Sequence, residues 1–139
     1  MTNRPRYVFD TGVLVSAAIF KEATPGQAVL TALTMGELLF SPDTAQELQQ
    51  VLMRPKFDRY LQLSTRRRFL AALFRQATII ETESLFQICR DPHDDKFLNL
   101  AVIGQAAYLV ASDDDLLVLD PFQGIPIVTP TEFLVKVPK

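Results

Sequence analysis

Asp10 closes a short apolar run, Tyr7-Val8-Phe9, and is followed by Thr11, Gly12 and a second apolar run, Val13-Leu14-Val15. Further along, the apolar stretch Ala107 to Ala111 ends in Ser112-Asp113-Asp114-Asp115. Hydrophobic runs without alternation read as strands buried on both faces, as in a parallel sheet. Open α/β sheets bind ligands at the carboxyl ends of their strands. Two such strands side by side would bring their acids to one edge. Carboxylates ~4 Å apart repel by about 4 kcal/mol at an effective dielectric near 20. Several in one cleft raise each other's pKa values unless a cation offsets them. Hard oxygen ligands with room for water suit Mg²⁺ or Mn²⁺. Such an ion orients a water, lowers its pKa and stabilises charge developing on a substrate oxygen, so no histidine or lysine base is required.

The elements around these acids follow from start signals and periodicity. Val13 to Phe20 reads as a helix. Thr24-Pro25-Gly26-Gln27 has the pattern of a cap, a proline at the first helical position and a capping-box glutamine, opening a helix through Ala28, Val29, Ala32 and Leu33. Glu37 to Phe40 is a short strand. Ser41-Pro42-Asp43-Thr44 starts a helix to about Met53, with Ala45, Leu48, Val51 and Leu52 at helical spacing. Arg54-Pro55 ends it. Ser64 is the expected cap of a helix through Phe69, Leu70, Leu73 and Phe74. Thr78 to Ile80 is a brief strand. Asp91-Pro92-His93-Asp94 opens a helix to about Gly104. Ile125 to Val128 is a last strand, and Thr129 caps a terminal helical turn. Strands alternating with helices imply βαβ units, a mainly parallel sheet and right-handed crossovers.

The helix opening at Asp91 puts Asp95 in its first turn. Asp95 and Asn99, four apart, share one face, opposite Phe97, Leu100, Ala101 and Gly104. Glu47 lies in the second turn of its helix, at the edge of the apolar stripe. The expectation is that these acids converge on Asp10.

Bulk properties narrow the classes. The 139 residues fit one domain, 1–139, with a proper core. A net charge of −2 argues against nucleic-acid binding by bulk charge and leaves that task to a cation or a local basic patch. The single cysteine, Cys89, excludes an internal disulfide and suits a reducing, cytoplasmic setting. The polar start, Met1 to Arg6, and the lack of a long apolar run give no expectation of a signal peptide or membrane span. Cys89 and His93 are too few for a zinc site. There is no P-loop, dinucleotide fingerprint or nucleophile elbow.

Taken in order, VFDTGVLVSA, SPDTAQELQQVLMRPKF, CRDPHDDKFLNLAV, YLVASDDDLL and TPTEFL resemble the successive motifs of PIN-domain ribonucleases, in the subgroup of toxin components of toxin–antitoxin pairs. The resemblance runs nearly end to end. It implies a three-layer α/β/α fold around a central, mainly parallel sheet. It also implies a Mg²⁺- or Mn²⁺-dependent endoribonuclease cutting single-stranded RNA by in-line attack of water, leaving a 5′-phosphate and a 3′-hydroxyl. By position, the family's acids fall on Asp10, Glu47, Asp95 and Asp113, with Asp115 as a fifth. The expected metal ligands are Asp10, Asp95, Asp113 and Asp115, supported by Thr11, Asn99 and Ser112. A cognate antitoxin and a homodimer are the implied partners. Gly12 stands where Asn or Ser is common, Ala111 where Thr is usual, and His93 where an acid is common.

Other residues have plainer readings. Asp91 reads as an N-cap, Asp94 as a solvated first-turn acid, Asp43 as a helix-start acid and Asp114 as a solvent-facing one. His93 reads as solvated. Arg54 and Lys56, with Arg59, form one candidate RNA-backbone patch, and Arg66 and Arg67, with Arg68, another. A phosphatase with Asp10 as nucleophile would want an acid at position 12, where Gly12 stands. A phosphoacceptor domain expects an early acidic pair and an acceptor aspartate on a middle strand, and the order here does not match. The remaining rival is a non-catalytic PIN-like RNA- or protein-binding module.

Overall fold

The computed structural model describes residues 4–137; the first three residues of the polar start lie outside that range. Five short parallel strands form one sheet: β1 (Arg6–Phe9), β2 (Glu37–Phe40), β3 (Thr78–Ile79), β4 (Tyr108–Val110) and β5 (Ile127–Val128), in the order β3-β2-β1-β4-β5. Among the described residues, seven helices lie between or after the strands: α1 (Thr11–Ile19), α2 (Thr24–Met35), α3 (Pro42–Leu52), α4 (Leu63–Gln76), α5 (Asp95–Ile103), α6 (Asp114–Leu117) and α7 (Pro130–Lys136).

Away from the edge strand β3, both faces of the sheet are buried, which is why those strands carry no polar alternation. Tyr7, Phe9, Leu38, Phe40, Val110 and Val128 join one core with Val13, Leu14, Ala28, Leu48, Leu70 and Phe133 of the flanking helices. The intervening strand residues Val8, Leu39, Leu109 and Ile127 join a second core with Phe97, Leu98, Leu100 and Leu116. The expected three-layer α/β/α arrangement is therefore the observed one. Phe133 of α7 closes the first core, meeting Tyr7 and Phe9 edge-on at 5.0 and 5.5 Å between ring centres.

Capping decides where the helices begin. Ser41 and Thr44 form a reciprocal capping box on α3, and Thr129 and Glu132 form another on α7. Two expected caps differ. Ala23, not Thr24, is the N-cap of α2, and its carbonyl takes the first helical bond from Gln27 at 3.1 Å. Ser64 lies inside α4, which starts at Leu63 because the Gln62 carbonyl already accepts from the Arg66 amide at 3.0 Å. The third difference matters most. Asp91 caps a single 3₁₀ turn, Pro92–Asp94, and α5 proper begins only at Asp95. The acidic segment thus turns more tightly than an α-helix would, and it is Asp94 that lies with Asp113 and Asp115 while Asp95 is buried.

Between β3 and that turn, residues 80–90 form a strap without helix or strand. It is fastened to α5 from beneath. Asn99 Oδ1 accepts the Leu85 and Phe86 amides, each at 2.9 Å. Asp95 Oδ1 accepts those of Ile88 at 3.0 Å and Cys89 at 2.8 Å.

Candidate functional site

β1 and β4 are neighbours, with Phe9 opposite Val110, so Asp10 and the Ser112–Asp115 segment leave the sheet at the same edge. Asp10 is 3% exposed and is the N-cap of α1. Its Oδ1 accepts the Val13 amide at 2.9 Å, and its Oδ2 accepts those of Ser112 at 2.9 Å and Asp113 at 3.3 Å. One carboxylate therefore starts α1 and ties the end of β4 to the end of β1. Burial pushes its pKa up, against the pull of the three amides, and the neighbouring Asp113 charge adds to the rise.

Asp113 caps α6, its Oδ1 accepting the Asp115 amide at 2.9 Å. Asp94, Asp113 and Asp115 each offer a carboxylate oxygen within 4.8 Å of the others. Asp94 Oδ2 is buried with no hydrogen-bond partner among the described residues. Burial, then the charge of Asp113 and of Asp91, pushes the Asp94 carboxyl up to about 7. Arg90, at the end of the strap, reaches Asp115 Oδ1 with its guanidinium.

A cleft of about 470 Å³ gathers Asp10, Glu47, Asp94 and Asp113, with Thr11, Ser112, Arg54 and His93 around them. Glu47 enters from α3. Its Oε2 accepts the Thr11 hydroxyl, and its Oε1 receives the Lys96 ammonium at 2.6 Å. Hard oxygen donors at close quarters, one of them buried and unpartnered, fit a divalent cation.

The family model described as "PIN domain" matches residues 6–115. The chain belongs to the PIN-domain family. It is 30% identical over 123 residues to an uncharacterized protein of Methanocaldococcus jannaschii, MJ1680, covering 82% of this chain and 74% of that one. Among solved structures, PAE2754 from Pyrobaculum aerophilum matches with a TM-score of 0.66 and 16% identity, over 95% of this chain and 89% of that one. A chain of VapBC2 from Rickettsia felis, solved bound to a DNA fragment from their promoter, matches with a TM-score of 0.61 and 12% identity, over 88% and 96%. At those identities the structural likenesses speak to the fold.

In this PIN domain the acid that joins the cluster from this segment is Asp94, the last residue of the 3₁₀ turn before α5 and one residue before the expected Asp95. Asp95 is 8% exposed and Asn99 6%, and both face the strap. Burial raises the Asp95 pKa, but the Cys89 and Ile88 amides outweigh it and hold the carboxyl below its usual range. Asp95 and Asn99 thus position the loop and stand apart from the acids. In the sequence the Asp91-Pro92 pair announces a turn start, but no local signal there separates a 3₁₀ turn from an α-helix. An α-helix running from Asp91, as expected from the sequence, would instead place Asp94 in a solvated first turn.

Gly12 also has a reason here. A Cβ at that position would lie 2.8 Å from Ser112 Oγ, so Ser112 occupies the space that a side chain at position 12 would take. The candidate RNA contacts separate. Arg54 lines the acidic cleft. The Lys56 ammonium lies 5.1 Å from the Phe57 ring centre. Arg67 borders a different groove, between α3 and α4. Arg66 is wholly buried and bound to carbonyls, so it cannot meet RNA.

The raised Asp94 pKa has a consequence for stability. A carboxyl whose folded pKa lies above its unfolded value binds its proton more tightly when folded. Its contribution is full below about pH 4 and is lost as pH rises through about 7. Asp91, Asp95 and Glu132, whose pKa values are lowered, act in the opposite sense but only below the ordinary carboxylate range. Thermal melts in chelator are therefore expected to show Tm falling between pH 5 and pH 7.5. A Tm that climbs steadily over that interval would contradict the charge arrangement described.

Proposed function

We propose that the chain is a Mg²⁺- or Mn²⁺-dependent endoribonuclease that hydrolyses phosphodiester bonds of single-stranded RNA. The observation that carries this reading is the cleft in which Asp10, Glu47, Asp94 and Asp113 meet at the carboxyl edge of β1 and β4. Asp94, Asp113 and Asp115 are the residues that would hold the cation, with Asp10 beside them. The chemistry such a cation supplies is Lewis-acid stabilisation of charge on a phosphodiester oxygen and acidification of a water.

The chain's own groups have separate tasks. Asp10 accepts three amides, which leaves about one of its four acceptor sites for the cleft; it anchors the backbone that carries Asp113. Thr11 and Lys96 grip both oxygens of Glu47 and fix its orientation. Arg54, at the rim, opposes the repulsion between an acidic cleft and a polyanion.

The role proposed in the cell is that of a toxin held by a cognate antitoxin, working as a homodimer in the cytoplasm. The motif resemblance supports this, together with the fold shared with the VapBC2 chain.

The test is cleavage of a labelled single-stranded RNA with Mn²⁺, with Mg²⁺ and with chelator, alongside thermal melts. Metal-dependent cutting is expected. A cation at a hundredfold excess over its Kd is expected to stabilise the fold by about 2.7 kcal/mol. Stabilisation by Mn²⁺ without cutting of any RNA would favour a non-catalytic binding module. Neither effect would remove the metal site as well.

A further inference from the structure

Beside the acidic cleft runs a second groove of about 580 Å³, between α3 and the start of α5. Gln46, Gln50 and Arg54 form one wall, and His93 and Lys96 the other. Glu47, Val51, Arg54 and His93 line both groove and cleft, so the two are continuous.

The groove's polar groups are largely uncommitted. The Arg54 guanidinium has no acceptor among the described residues. Its backbone is held in place by Arg66, which donates to the Arg54 carbonyl at 3.2 Å. Gln46 and Gln50 are exposed, one turn apart on the same face of α3, and neither side chain has a partner among the described residues. Lys96 is partly buried at the junction, with Glu47 as its only carboxylate partner among the described residues. Cations beside amides that both donate and accept suit an anionic backbone carrying a hydrogen-bonding ring. An unpaired strand offers both, because its base edges are open.

We propose that this groove is the subsite for the nucleotide flanking the scissile bond of single-stranded RNA. Arg54 and Lys96 contact its phosphates, and Gln46 and Gln50 hydrogen-bond its base. The proposal rests on the ribonuclease reading. It adds that specificity for the flanking base resides on α3.

Fluorescence anisotropy with labelled oligo(A), oligo(C) and oligo(U), in chelator over a range of salt, tests it on the full chain. Wild type is compared with Arg54→Gln, with the double variant Gln46→Ala/Gln50→Ala, and with Arg75→Gln on α4 as a surface control. Arg54→Gln is expected to weaken binding about tenfold for every oligomer. It should also lower the slope of log affinity against log salt by about 0.7, the share of one phosphate on a single strand. The double glutamine variant is expected to change the ranking of the three oligomers by about fivefold or more at unchanged slope. Arg54→Gln behaving like Arg75→Gln would overturn the phosphate contact, and an unchanged ranking would overturn the base contact. If wild type cuts RNA while these variants match it in affinity and ranking, the subsite alone fails. If wild type neither binds nor cuts RNA, the ribonuclease reading fails and takes the subsite with it.

Discussion

Asp94→Asn is expected to reduce cleavage of single-stranded RNA at least about a thousandfold, or roughly 4 kcal/mol of transition-state stabilisation, while leaving the protein folded. Asp94 supplies one of three carboxylates within 4.8 Å, and its Oδ2 is the buried oxygen without a partner. Asparagine keeps the shape and removes the charge that a cation would need. It also removes like-charge repulsion from Asp113 and Asp91. Discounted for solvent, that relief is about 1 kcal/mol, so the metal-free variant is expected to melt a few degrees above wild type. Asp95→Asn is the informative contrast. Its amide oxygen can still accept from the Ile88 and Cys89 amides, so activity is expected within about tenfold of wild type. Kinetics of the two purified variants, with melts in chelator and in Mn²⁺, decide between neighbouring aspartates. Full activity in Asp94→Asn with loss in Asp95→Asn would return the ligand to position 95.

Arg66→Met is expected to destabilise the chain by about 3–5 kcal/mol, with Tm falling by roughly 10 °C or more. The side chain is fully buried, yet every part of its head is bound. Nε donates to the Leu61 carbonyl at 3.0 Å, and Nη1 to those of Leu52 at 2.9 Å and Arg54 at 3.2 Å. Nη2 pairs with Asp58. These carbonyls belong to the end of α3 and the turn leading into α4. One guanidinium thus satisfies groups that helix ends leave orphaned. Methionine fills the volume but strands those carbonyls, each at a cost of about 1–3 kcal/mol where buried. Arg67→Met, one residue on and exposed, is the matched control, with a change within about 0.5 kcal/mol. Equal melting temperatures for the two variants would show that the Arg66 network contributes nothing.

Much of the fold is legible in local chemistry. Apolar runs of three to five residues announced strands buried on both faces. Ser41 and Thr129 announced helix starts that the structure repeats. Both signals act within a few residues, so they survive any tertiary setting. The convergence of Asp10 with Asp113 was also readable, because strands of one parallel sheet present their carboxyl ends together.

Other features required long-range contacts. Asp94 joins Asp113 and Asp115 at the end of a 3₁₀ turn that precedes α5, while Asp95 and Asn99 hold a strap from elsewhere in the chain. Arg66 and Arg67 are alike in sequence, and only the packing of α4 against the end of α3 makes one a core residue and the other a surface one. Periodicity places a residue on a helix face. What covers that face is decided by segments far away in the chain, and at this site that decision separates a candidate metal ligand from a loop fastener.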